Sequence, residues 1–298
     1  MISFNRLGRL GRLGNQLFQY AFLRTTAQRL GVKFYCPHWI GDDIFHLNDS
    51  EERAENPIDI LTTYLEPPLY TGFNQSAIEI EDKTDIVGWF QTERYWDREL
   101  VKNWYRFRED KTCRVREKYK ELNFAESVGM HLRFGDKIAN IDERITYYVS
   151  PPDYYSRALS FVEKGKNVVV FSDEIEVAKK HLRSLTGNLI FIEDNEPYED
   201  LYLMTRCHDF IISISTLSWW GALLNEYPDS IIIAPSEGPF RPGCRLKNSD
   251  YLCIDWIRVR ALRKYIDYRL SIILKESFKQ PREVLYRILQ KIYVNKIS

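Results

Sequence analysis

From Ser127 to Ile233 short β-branched runs alternate with helical stretches, and that alternation constrains the fold of this chain more than any other feature. The runs are 127–132, 167–171, 189–192, 210–214 and 230–233. Between them, 153–162, 174–185, 198–205 and 217–227 carry apolar residues at helical spacing. Strands separated in this way imply parallel sheet order with right-handed crossovers. The unit is a Rossmann-like α/β lobe, in which ligands sit past the carboxyl ends of the strands.

The amino-terminal part offers a second, less regular example. Ile2-Ser3-Phe4-Asn5 reads as a strand and Gly8-Arg9-Leu10-Gly11-Arg12-Leu13-Gly14 as a glycine loop. A helix carrying Leu17, Tyr20, Ala21, Leu23, Ala27 and Leu30 follows, closed by Gly31, and then a strand at 32–36. Residues 42–66 are acidic with little periodicity and read as irregular, and helices are expected near 96–105 and 111–122. At 298 residues the chain suffices for two lobes, each with its own core. The expected fold is α/β, with two Rossmann-like lobes facing across a cleft. The divisions are 1–122, 123–255 and a basic helical tail over 256–298.

With 44% hydrophobic and 28% charged residues the chain reads as a folded, water-soluble body. No apolar run approaches the roughly 18 residues that span a bilayer, and the first residues lack the apolar core of a signal peptide. A cytoplasmic protein is expected, with no nucleic-acid partner. Five cysteines, at 36, 113, 207, 244 and 253, lack zinc-site spacing and read as free thiols. The tail from Trp256 holds eleven Lys or Arg against three acids, a net +8 that leaves −8 on the body. Ile257, Leu262, Ile266, Leu270, Ile273 and Leu274 make it amphipathic. One face serves either anionic lipid at the inner side of the cell membrane or the other lobe.

The strand ends bring together His131-Leu132-Arg133-Phe134-Gly135-Asp136, Ser172-Asp173-Glu174 and Ser213 to Ser218. Such a rim suits a nucleoside diphosphate: Arg133 offers a bidentate fork, and hydroxyls and amides at the helix start donate to phosphate. Asp173 could accept from base or ribose, while Ser172 and Ser218, taken alone, read first as helix caps. His131 has no second His or Cys nearby, so structure or base recognition suits it better than metal or catalysis. No Asp-x-Asp triplet is available to hold a cation across a diphosphate. The glycine loop fits neither the dinucleotide fingerprint nor the phosphate loop ending in Gly-Lys-Ser/Thr, which disfavours an NAD enzyme or a kinase. Its helix start, Gly14-Asn15-Gln16, presents amides to the cleft, unless the glycines only serve a tight turn.

Together Gly14 to Ala21, His131 to Asp136, Phe171-Ser172-Asp173 and Tyr198 to Met204 leading to Ser218-Trp219-Trp220-Gly221-Ala222 resemble the glycosyltransferase family 11 α-1,2-fucosyltransferases, whose bacterial members build O-antigen side chains. The resemblance implies a GT-B architecture, GDP-fucose as co-substrate, a galactose-terminated glycan acceptor that can be lipid-linked, inversion at the anomeric carbon and no metal or other cofactor. Carried over by position, Arg133 stabilises the leaving GDP, and His131 and Asp173 recognise guanine or ribose. Ser215, Thr216 and Ser218 donate to phosphates, and Gly14, Asn15 and Gln16 lie by the donor. Asp142 or Glu143 is the expected general base, with Asp136 as rival. Two departures stand out: Phe134 replaces the second arginine of His-x-Arg-Arg-Gly-Asp, and Ile214 replaces the asparagine of Asn-Ser-Ser-Phe-Ser-Trp-Trp. Two alternatives remain at this point: another nucleotide sugar as donor, or a carbohydrate-binding protein that uses its many aromatics, Trp219-Trp220 included, to stack on sugars.

Overall fold

Two parallel sheets organise the chain. The computed structural model describes residues 1–57, 59–67, 70–135, 137, 147–238, 247–248 and 250–261. Five strands come from the amino-terminal half: β1 (Ile2–Ser3), β2 (Phe34–Tyr35), β3 (Thr62–Leu65), β4 (Tyr70–Thr71) and β5 (Thr84–Val87). Four of them pair in the order β2-β1-β5-β3, with Ile2 opposite both Phe34 and Thr84. The second sheet uses β6 (Ser127–Leu132), β7 (Asn167–Ser172), β8 (Leu189–Phe191), β9 (Asp209–Ile211), β10 (Ile232–Pro235) and, beyond a short β11 (Lys247–Asn248), β12 (Ile257–Val259). Its order is β12-β10-β9-β6-β7-β8, and β11 pairs with β4 instead. Every named pairing is parallel.

The helices needed below are α1 (Leu13–Leu30), α2 (Ile40–Ile44), α3 (Gln75–Ile78), α4 (Arg98–Trp104), α5 (Glu109–Lys118), α6 (Pro152–Leu159), α7 (Ile175–His181), α8 (Pro197–Arg206) and α9 (Thr216–Leu223). Gly31 ends α1 in the left-handed conformation, φ 65°, as a C-cap glycine should. In the second sheet the period of two sorts side chains onto opposite faces. Val168, Val170, Met130 and Leu132 pack with Tyr154, Tyr155 and Ala178 of α6 and α7. Val169, Phe171, Phe210 and Ile212 join the larger core on the other face.

That larger core crosses between the lobes, where the sequence suggests two separate ones. Thirteen of the eighteen residues of α1 are buried, and α9 is buried from Ser218 to Leu223. Helices buried nearly all round need cover on every side, and here each covers the other. Phe18 of α1 lies 4.5 and 4.8 Å from the rings of Trp219 and Trp220, and Trp96 stacks on Trp220 at 5.8 Å. Trp220 Nε1 donates to Gly14 O at 2.9 Å. Arg94 with Asp250, and Arg98 with Asp255, each at 2.7 Å, add polar ties across the same boundary.

The five expected strands of the second lobe all form, with ends shifted by a residue or more in four of them. The amino-terminal reading needs correction: 42–66 is not wholly irregular, since it includes the end of α2 and all of β3, and β5 lies at the centre of its sheet. Both strands have four residues, and pairing with distant segments, not local pattern, specifies them. The second sheet also runs past residue 255, because β12 sits beside β10 with Ile257 opposite Ile233. Most of the expected tail helix, 262–298, lies outside the described residues. No described helix is long and apolar enough to cross a membrane.

Candidate functional site

The carboxyl ends of β6, β7 and β9 form one rim. Arg133 follows β6 directly, and its Nη1 lies 2.7 Å from Asp173 Oδ2, just after β7. The other oxygen, Asp173 Oδ1, accepts from Phe134 N at 2.9 Å. The carboxylate thereby holds both the guanidinium and the loop bearing it, a geometry that sets the direction in which Arg133 points. Both side chains are partly exposed, at 14% and 23%.

His131, buried in β6, shares a 2.7 Å hydrogen bond between Nδ1 and Ser213 Oγ, which links β6 to the segment leading into α9. Burial, with Arg133 and Lys137 nearby, drives its pKa down to about 3. So weak a base stays neutral near pH 7, which fits a structural or recognition role and not proton abstraction. Lys137 is a cation that spacing alone did not single out: it is buried, and its Nζ donates to Ile214 O. Phe134 turns into the core under the sheet, 2% exposed, with its ring edge-on to His181 at 5.3 Å.

The start of α9 abuts the start of α1. A Cβ on Gly14 would lie 2.6 Å from Thr216 C, Thr216 Oγ1 and Leu217 N, so only glycine permits this approach. The first intrahelical bond of α9 runs from Trp219 N to Ser215 O at 3.0 Å. The amides before it have no partner within the helix. Neither Arg12 nor Ser215, the residues capping the two helices, makes a side-chain cap bond. Two positive dipole ends therefore meet next to Arg133's strand, an arrangement that favours an anion.

The remaining expected residues divide between the rim and the scaffold. Ser215 and Thr216 are partly exposed. Ser218 is fully buried, its hydroxyl donating to Ser213 O and Ser215 O at 3.2 Å. Asn15 Oδ1 accepts from Gln91 Nε2 at 2.9 Å. Gln16 is 6% exposed and donates to Gly11 O at 3.1 Å, within the glycine loop. Asp136, Asp142 and Glu143 lie outside the described residues. Trp219 and Trp220 are fully buried, which removes them as a sugar-stacking surface.

Within the 198–204 motif, Glu199 is buried and pairs with Arg114 of α5, another fastening between lobes. Its neighbour Asp200 has a carboxyl that burial pushes up to about 7, with Asn195 Nδ2 donating to it at 3.0 Å. Glu93, Cys253 and Asp255 are close enough to share a cation, but Arg98 engages both carboxylates, at 2.6 and 2.7 Å. Cys36, Cys113, Cys207 and Cys253 are free thiols; Cys244 lies outside the described residues.

The profile of glycosyl transferase family 11 matches residues 93–260, which include the arginine rim, the α8 motif and α9. The chain belongs to this family. Membership of a glycosyltransferase family counts against the binding-protein alternative. An O-antigen biosynthesis glycosyltransferase, WbnK, from Escherichia coli is 29% identical over 183 residues, 58% of this chain and 61% of the relative. An alpha-1,2-colitosyltransferase from Escherichia coli is 27% identical over 287 residues, 84% of this chain and 96% of the relative. A galactoside alpha-(1,2)-fucosyltransferase 1 from Ateles belzebuth is 24% identical over 233 residues, covering 72% of this chain and 63% of that protein. The match thus spans under two thirds of the first and third of these relatives. Among solved structures, POFUT1 in complex with GDP superimposes with a TM-score of 0.51 at 12% identity, over 78% of this chain and 97% of that one. That likeness concerns the fold, which is GT-B-like.

Proposed function

We propose that this family 11 enzyme transfers L-fucose from GDP-β-L-fucose to the 2-hydroxyl of a terminal β-galactoside, with inversion, in the synthesis of O-antigen or a related polysaccharide. The observation carrying the donor half is the meeting of the α1 and α9 amino termini at Gly14 and Thr216, beside Arg133. Departure of GDP puts negative charge on the β-phosphate and oxocarbenium character on fucose. Cations and amides fixed before the reaction stabilise that charge more in the transition state than in the ground state.

In this scheme Arg133 takes the leaving diphosphate and Asp173 orients it. Amides at Thr216 to Ser218, the Ser215 and Thr216 hydroxyls and Asn15 surround the same group, and Lys137 adds positive potential that Phe134 does not provide. Asp142, Glu143 or Asp136 receives the acceptor proton. Without an Asp-x-Asp triplet, charge neutralisation falls to these side chains and amides, so the reaction is expected to run without metal. The acceptor half draws on the similarity to a galactoside alpha-(1,2)-fucosyltransferase.

A second donor is favoured by one observation: a relative matched over 96% of its length is a colitosyltransferase. Colitose is fucose without its 3-hydroxyl, so the leaving group and the phosphate site are unchanged. Transfer to a β-galactoside from GDP-fucose and from GDP-colitose, each in excess EDTA, separates the two. Product from GDP-fucose supports the first donor and product only from GDP-colitose replaces it. Turnover that appears only after Mg²⁺ is restored ends the metal-free scheme.

A further inference from the structure

Six of the seven tryptophans are at most 8% exposed, but Trp89 is 39% exposed. It stands just past β5, at the carboxyl edge of the first sheet, where a parallel α/β sheet offers its ligand position. The donor scheme does not use it.

The backbone holds this ring outward. Phe90, the next residue, has φ +50°, a conformation that bulky side chains rarely adopt. It is maintained from two sides. Phe90 stacks on Phe22 with centroids 3.8 Å apart, and the Glu66 carboxylate accepts from Trp89 N at 2.5 Å and Phe90 N at 3.1 Å. With Phe90 drawn into the core, Trp89 faces away from it. A strained residue over-determined by its surroundings points to a use for the geometry it enforces.

The ring is also contiguous with the donor side. A Cβ on Gly11 would meet Trp89 Cζ3 at 2.8 Å and Asn15 Nδ2 at 2.5 Å, so ring and amide rest against one glycine, itself at φ +79°. Asn15 is bonded to Gln91 and follows Gly14, which touches Thr216. An exposed aromatic ring bordered by side-chain amides matches a pyranose: the ring receives the sugar's C–H face, and amides pair with its hydroxyls. Galactose suits it well, because its axial 4-hydroxyl leaves the C3, C4 and C5 hydrogens together on one face.

We propose that Trp89 is the platform on which the acceptor's galactosyl ring stacks, positioned by Glu66 and bordered by Asn15 and Gln91. This rests on the reading of the enzyme as a galactoside-directed transferase and adds where the acceptor lies. The test labels the full chain with 5-fluorotryptophan, assigns the Trp89 ¹⁹F resonance by Trp89→Phe, and titrates methyl β-D-galactopyranoside with and without GDP. The Trp89 signal is expected to shift with the galactoside while those of the buried tryptophans stay in place. Trp89→Ala should raise the acceptor KM roughly tenfold and leave GDP binding and the melting temperature unchanged, whereas Trp89→Phe retains most acceptor affinity. A Trp89 signal unmoved by galactoside while GDP binds, or an unchanged acceptor KM in Trp89→Ala, overturns the platform. A Trp89 signal that responds to galactoside in a protein that does not bind GDP upholds the platform and breaks the donor reading instead.

Discussion

The two lobes present different surfaces at their carboxyl edges. On the second lobe the edge is charged and already paired: Arg133 with Asp173, His131 with Ser213, Lys137 with Ile214 O. On the first, Trp89 projects from the edge, with the Asn15–Gln91 amide pair beside it and Glu66 clamping the backbone behind. In the proposed scheme the second edge handles a diphosphate, which requires fixed charge that is expensive to reorganise during a reaction, and the pairing there holds such groups in place beforehand. Receiving a neutral sugar requires area and adaptable hydrogen bonds. Under the proposed function the division of labour between lobes is a division of chemistry, joined at the Gly14–Thr216 contact.

If the charged edge belongs to the donor, Arg133→Ala should show the largest effect: a fall of about a hundredfold or more in kcat/KM, with weakened GDP binding by calorimetry. An unaltered rate would remove the asymmetry altogether. Next comes the contact itself. Gly14→Ala forces a methyl against the backbone of α9, which cannot step aside, and should cost about 1–3 kcal/mol of stability, read as a lower melting temperature together with reduced activity. Should this variant melt like the wild type, the lobes do not touch there as described.

Confined to acid pH, and specific to the second lobe's edge, is a pH effect from His131. Its pKa is about 3 in the folded protein, below the ordinary value, so on acidification the unfolded chain takes up the proton first. Stability is then lost as pH falls from about 6.5 towards 3, by at most about 1.4 kcal/mol per pH unit. His131→Asn should flatten that part of the denaturation profile, and an identical slope in the variant would place the proton uptake elsewhere. The last test is Trp220→Phe, which deletes the bond to Gly14 O and also part of a fully buried indole, so the loss in urea unfolding should exceed the roughly 1 kcal/mol of the bond alone. A loss of only about 1 kcal/mol would show that the hydrogen bond, and not the packing of the indole, joins the lobes.

The comparison also explains what could be read in advance. Runs such as Ser127 to Leu132 and Asn167 to Phe171 are long and β-branched, so local pattern alone places them, and with them Arg133 and Asp173 at strand ends. The burial of Trp219 and Trp220 likewise follows from their place in an apolar helix. In the first lobe Thr62 to Leu65 and Thr84 to Val87 are brief and mixed, and become strands through partners distant in sequence. Trp89 carries no signal in the sequence, because an aromatic residue in an aromatic-rich stretch gives no sign of exposure. A tryptophan followed by a left-handed Phe90 is visible only in three dimensions.

What the sequence by itself determined is therefore the parallel α/β character, the residues at the ends of the second lobe's strands and, through its motifs, the family. Those depend on periodicity and on residue order, which are local properties. Only the tertiary structure decided that Asp173 holds Arg133, that Gln16 and Ser218 are taken up by the scaffold, that Phe134 turns inward, and that one core runs through both lobes. Each of these is a choice among hydrogen-bond or packing partners far apart in the chain, and it is settled when α1 and α9 bury their apolar surfaces against each other.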